Sequence, residues 1–317
     1  MEDYPKNLQK FDARFATEEA CRKHLVRVRW PDGFVCPHCG GTKAWAVRVV
    51  LWQCAQCGTQ VSVTAGTIFQ DTRTPLRVWF NAMWWLTTQK NGASALGLQR
   101  ILGLKHYQTA WTWLHKLSGA MVRPGRDLLS GRIEVDEAYL GGLEEGAPGR
   151  GTQNKALIGV AVQENGQSSG RIRLQSLADA SAQSLEGFIR SSIAPGSVVH
   201  TDGWSGYAGL HKLGYTHEVT VVKGKPADEL LPRTHRVISL LKRWLLGTHQ
   251  GAVGHKHLDY YLDEFTFRFN RRTSASRGKL FYRLVQQAVL AEPRTYRMIV
   301  DQTKTGRCAT AKHNRLG

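Results

Sequence analysis

Two Cys-x-x-Cys pairs, Cys36 with Cys39 and Cys54 with Cys57, constrain this chain more than any other stretch. In CPHCG and CAQCG two residues separate the cysteines and a glycine follows. Such a turn lets both thiolates point at one ion. A second turn of the same kind completes a tetrahedral four-sulfur zinc site. Fourteen residues lie between Cys39 and Cys54, and the span KAWAVRVVLWQC alternates like a strand. The expectation is a small zinc ribbon held by Cys36, Cys39, Cys54 and Cys57. Its core is too small to fold alone, so the metal supplies folding energy. His38, inside the first turn, is expected in solvent rather than on the metal. A redox pair, or four unrelated buried thiols, is the competing reading.

With Cys21 and Cys308 the chain has six cysteines in 317 residues, which is not the density of a secreted disulfide framework. No run of eighteen apolar residues exists, so no membrane span is expected. The first residues, MEDYPKNLQKFDARF, lack the apolar core of a secretory signal. A reducing, cytoplasmic setting is the expectation. Lys and Arg number 43 against 25 Asp and Glu, a formal charge of +18 that favours an anionic polymer, nucleic acid first. From Arg268 onward twelve basic residues face two acids, Glu292 and Asp301. Such an end is either a solubilising tail or part of a nucleic-acid surface.

The periodicity divides the chain into four parts. Residues 1–72 hold a helix near 12–30 and the ribbon. Residues 73–128 are helical: PLRVWFNAMWWLTTQ, then SALGLQRILGL and YQTAWTWLHKL about a tight turn, which reads as a helix-turn-helix or a plain helical linker. Residues 129–290 mix strands and helices. RIEVDEAYL, KALIGVAVQE, GRIRLQSL, GSVVHTDGW and THEVTVV read as strands. SAQSLEGFIRSSI, RTHRVISLLKRW and KHLDYYLDEFTFRFNRR read as helices. This is an α/β domain with a mixed sheet. The Gly-rich EEGAPGRGTQN, longer than a hairpin needs, reads as a loop that could cover a site. Residues 291–317 form a basic tail.

Two strand aspartates need a reason, because aspartate is a poor strand former. Alternation puts Glu134 and Asp136 on one face of the first strand, with Ile133, Val135 and Glu137 on the other. Asp202 stands at the carboxyl end of its apolar strand, a common place for chemistry in such sheets. Aspartates on neighbouring strands can bridge two divalent ions suited to phosphoryl transfer. His200 alternates with Asp202 and reads as a core histidine. On RTHRVISLLKRW, residues His235, Ser239 and Lys242 share one face.

These stretches resemble a family of insertion-sequence transposases, the IS1595 type or ISXO2-like group. CPHCG…CAQCG, VDEAYLGG, HTDGWSGY, HRVISLLKRWLLGTHQG and HLDYYLDEFTFRFNRR carry the resemblance, in order from Cys36 to Arg272. It implies an RNase H-like catalytic domain after a zinc ribbon and a DDE-type polynucleotidyl transferase. It implies that Asp136 and Asp202 are the first two catalytic carboxylates and hold two Mg²⁺ ions, with Mn²⁺ an alternative. The third metal position falls on His235, seven residues before Lys242. The wider family has a glutamate there, so Glu229, Asp228, Asp263 and Glu264 are candidate substitutes, Glu229 first. Lys242 is expected to contact a DNA phosphate. Double-stranded DNA is the implied partner, with the chain cytoplasmic at the nucleoid and working as a homo-oligomer of at least two copies. A nuclease without strand transfer, or a zinc-ribbon DNA-binding protein with a defunct core, are the other functions open at this point.

Overall fold

The computed structural model describes residues 4–48, 51–123, 125–141, 155–221, 230–251 and 254–301. The chain divides into two compact units, one running to Pro124 and resuming at Thr273, the other spanning Gly125–Arg272. Among the described residues no helix is long and apolar enough to cross a membrane.

The first unit opens with Leu8–Arg14 (α1) and Glu18–Arg29 (α2). The sequence suggested one helix here. Thr17 divides them, because its side chain accepts the Ala20 N–H at 3.1 Å and starts a new helix. The ribbon follows as Ala44–Arg48 (β1), Leu51–Cys54 (β2) and Gln60–Ser62 (β3), antiparallel in that order. The alternation that read as one strand belongs to a hairpin, with Trp45 opposite Gln53 and Ala46 opposite Trp52. Leu76–Thr88 (α3), Ala95–Leu102 (α4) and Tyr107–Ala120 (α5) are the expected helices. Ser94 caps α4, and Gly103 ends it at φ +62, a left-handed conformation that favours glycine. Most of α5 is buried, and Lys105 to Gln108, at its start, are exposed.

The second unit contains Arg132–Leu140 (β4), Ala156–Asn165 (β5), Ser168–Leu177 (β6), Ala182–Ser192 (α6), Val198–Thr201 (β7), Thr216–Val219 (β8), Pro232–His249 (α7) and Leu258–Phe269 (α8). Its five strands lie in the order β6-β5-β4-β7-β8. The first three in sequence pair antiparallel, and β7 and β8 run parallel to β4. The sheet is therefore mixed, as expected, with β4 at its centre. Helices cover both faces. Ile133 and Val135 of β4 pack towards Leu185, Phe188 and Ile189 of α6. Ala138 and Leu140 pack on the other side, with Val237 and Leu241 of α7 and Phe265 of α8. Gly159 of β5 is glycine for a spatial reason, since a Cβ there would stand 2.7 Å from the Phe188 ring. Full burial of Val237 and Leu241 contributes about 1.5–3 kcal/mol each. The loop 144–154 lies outside the described residues, as do Asp228, Glu229 and Cys308.

The C-terminal end differs from the sequence reading, which carried the α/β segment to residue 290. The second unit ends at Arg272. Arg277–Ala288 (α9) joins the first unit, and Tyr296–Val300 (α10) is a short helix within the stretch read as a basic tail. The reason is aromatic packing. Phe281 is fully buried, its ring centre 5.2 Å from that of Phe11 and 5.7 Å from that of Phe80. We predict that Phe281→Ala destabilises the first unit by about 3–5 kcal/mol. Chemical denaturation followed by tryptophan fluorescence measures it. A loss below about 1 kcal/mol would be too small for a core position and would remove α9 from that core.

Candidate active site and zinc ribbon

The four ribbon cysteines converge. Their sulfurs all lie within 4.8 Å of one another, with Cys36 Sγ to Cys57 Sγ at 3.8 Å and Cys39 Sγ to Cys54 Sγ at 3.6 Å. Four sulfurs at tetrahedral angles around zinc, each about 2.3 Å away, are about 3.8 Å apart. The spacing is that of a zinc site. Each knuckle is shaped by backbone bonds. The Gly40 N–H donates to Cys36 O at 2.9 Å, and the Gly58 N–H to Cys54 O at 3.0 Å. Both glycines have positive φ, +75 and +69, which a side chain would strain. His38 is exposed, as expected.

The second cluster lies on the central strand of the sheet. In the parallel pair β4–β7, Glu134 is opposite His200. Two residues further along these strands come Asp136 and Asp202. Asp136 Oδ1 accepts the Glu137 N–H at 2.8 Å, and its Oδ2 lies 3.5 Å from His235 Nε2 on the first turn of α7. That distance is long for a hydrogen bond. Asp202 has left the strand, which ends at Thr201. Its Oδ1 accepts the Trp204 N–H at 3.1 Å, a side-chain turn typical of aspartate.

Further groups border these two. Tyr207, fully buried, donates its hydroxyl to Glu137 Oε2 at 2.6 Å. Burial, then the carboxylates of Glu137, Asp136 and Asp202, push its pKa well above the ordinary value. The hydroxyl stays a donor to Glu137. His200 is buried against Thr220, Nε2 to Oγ1 at 2.6 Å. Burial and the nearby Arg132 lower its pKa and keep the ring neutral at pH 7.

The structure thus brings Asp136 and His235 together and sets Asp202 just beyond the end of the neighbouring strand. Ser239 and Lys242 are exposed. Seven residues of helix put Lys242 about 10 Å along the axis from His235. Among the substitutes considered for the third position, Asp263 and Glu264 are buried in α8. Glu264 accepts from Arg268 Nε at 2.8 Å and acts on His249, at the far end of α7 from His235. Three neighbouring residues, Glu134, Glu137 and Tyr207, went without a role in the sequence. Glu134 points inward from an apolar strand and is 1% exposed. That inward carboxylate was the available signal. The Tyr207–Glu137 pair is non-local and left none.

The sequence matches the ISXO2-like transposase domain over residues 128–270 and the transposase zinc-ribbon domain over residues 16–60. The chain belongs to the ISXO2-like transposases of the IS1595 type. Among curated proteins, an uncharacterized protein in transposable element ISH50 of Halobacterium salinarum is 26% identical to this transposase over 287 residues. The alignment spans 80% of this chain and 91% of the relative. The matched zinc-ribbon segment contains Cys36, Cys39, Cys54 and Cys57, so the cysteine cluster of this transposase is a structural zinc site. Removal of that metal should unfold the ribbon, because structural zinc contributes on the order of 10 kcal/mol to such a small fold. A strong chelator is expected to release one zinc per chain and open Cys36, Cys39, Cys54 and Cys57 to a thiol reagent. Reaction of all four before chelation would mean that no ion holds them.

Proposed function

We propose that this transposase cuts the ends of its insertion sequence and joins them to target DNA, by DDE-type chemistry at Asp136, Asp202 and His235. The approach of His235 to within 3.5 Å of Asp136, with Asp202 just past the end of the strand beside β4, carries the reading. By donor type these residues suit divalent ions, although among the described residues only the four cysteines converge closely enough to enclose one. Carboxylate oxygens are hard donors suited to Mg²⁺, and the set accepts Mn²⁺ as well. A pair of such ions, when bound, activates the attacking oxygen and neutralises charge on the leaving one. Asp136 and Asp202 would hold them. Each has one oxygen already tied to a backbone N–H, which orients the other. His235 is the third ligand in this reading. Tyr207 fixes Glu137 beside them.

The sheet order, with three antiparallel strands and two parallel ones, supports an RNase H-like fold for this unit. On the outer face of α7, Arg236, Lys242 and Arg243 are exposed and would contact phosphates of double-stranded DNA. The ribbon and the α4–α5 pair would bind DNA as well. We place the work in the cytoplasm at the nucleoid, with at least two copies needed to hold two element ends.

Asp136→Ala and Asp202→Ala should each lower Mg²⁺-dependent cleavage of a duplex carrying the element ends by at least about a hundredfold, comparable to losing a main electrostatic stabiliser. Binding of the same duplex should persist. Undiminished cleavage in either variant would end the catalytic reading. A second reading, a DNA-binding protein with an idle core, is favoured by one observation: an imidazole stands in the third position. His235→Ala and His235→Glu separate the two. The alanine variant should lose cleavage and the glutamate variant keep or raise it. Full cleavage with His235→Ala would take His235 out of the site. A wild-type protein that binds the ends and cuts nothing with Mg²⁺ or Mn²⁺ would establish the idle core.

A further inference from the structure

We infer that Glu134 is a positioning residue: buried in the central strand, it caps the first turn of α7 from a distance and thereby sets His235 against Asp136. The inference rests on the reading of His235 given above. Helix α7 begins with Leu231 as N-cap and Pro232 at its first turn, and no side chain of its own caps it. The N–H groups of Arg233 and Thr234 therefore need an outside acceptor. Glu134 Oε2 takes both, at 2.8 and 3.0 Å. Its Oε1 accepts the Arg233 guanidinium at 2.7 Å. That guanidinium also donates to Gly166 O at 2.8 Å and lies 3.5 Å from Glu164.

A carboxylate at 1% exposure is tolerable only with such donors around it, and a helix N-terminus favours its charge. It is too enclosed to touch DNA, so its effect must pass through the helix. Glu134 and Asp136 are alternate residues on one face of β4, about 7 Å apart. Arg233, Thr234 and His235 are consecutive on α7. The strand thus grips the first turn of the helix at two levels, 134 to 233 and 234, and 136 to 235. The apolar contacts of Val237 and Leu241 hold α7 to the sheet, but they are non-directional and do not set its slide or rotation. The polar cap does.

A double-mutant cycle tests this with the full-length protein. Glu134→Ala should lower cleavage of the element ends between about ten- and a hundredfold, the effect of a displaced catalytic group. Binding of the ends should stay within about twofold. In the zinc-bound protein without added Mg²⁺, hydrogen exchange at the Arg233 and Thr234 amides should accelerate while β5 stays protected. Added to His235→Ala, Glu134→Ala should cause no further loss, because both changes remove one effect. If Glu134→Ala does not fold, Glu134→Gln enters the same cycle; it keeps an acceptor oxygen without the charge. A smaller loss, again absent in the His235→Ala background, is then expected. Multiplying losses in either cycle, or unchanged exchange at both amides, would overturn the inference alone. His235→Ala at full activity would overturn it together with the reading of His235.

Discussion

A carboxylate inside an apolar sheet is the constraint from which the second unit is organised. Glu134 stands on the central strand with its side chain enclosed. Unpaired, such a charge would cost several kcal/mol. It is met by two backbone N–H groups and one guanidinium, all from the first turn of α7. The helix can therefore start in one place only. Once started there, its apolar residues Val237, Ile238, Leu241 and Leu245 fall over β4 and β5 and close one face of the core. Burial supplies most of the stabilisation, and the buried polar contact supplies the register. The same division holds in the ribbon, where the sulfurs specify a geometry that its small apolar content could not.

Much of this was legible because the signal was local. The two cysteine turns carry their spacing within a few residues, so the zinc ribbon could be read directly. Alternation along RIEVDEAYL placed Glu134 with Asp136 and apart from Glu137. The strands are long enough for that pattern to be unambiguous, and the faces observed in the structure are the faces read. The helix spacing of His235, Ser239 and Lys242 was equally local. It says which residues share a stripe but not where along the stripe the helix meets the sheet. His235 comes within 3.5 Å of Asp136, and Lys242 lies in solvent two turns on.

Non-local choices left little trace. The apolar face of α9, with Leu280, Phe281, Leu284 and Val285, would suit either core. Only the partner rings of Phe11, Phe15, Phe80 and Trp84 decide that it belongs to the first unit. The hairpin of β1 and β2 was hidden for a different reason. The sequence from Ala44 to Cys54 has no glycine or proline to mark two strands. The Tyr207–Glu137 pair joins residues 70 apart in sequence, and neither type is unusual in its own segment.

The charge distribution follows from the same cluster. Asp136 on the central strand and Asp202 past the end of the next one carry negative charge, and a phosphodiester brought to them would be repelled. The chain as a whole carries +18, and α7, whose first turn borders the acids, exposes Arg236, Lys242 and Arg243. A polyanion can thus be held on the outer face of the helix while one of its phosphates approaches the acids, where divalent ions would offset the remaining repulsion. In the proposed chemistry, an imidazole in place of a third carboxylate would work in the same direction. It would leave one fewer negative charge facing the DNA, at the expense of one hard oxygen for the metal. On that reading His235 shifts the balance between holding the ions and admitting the substrate.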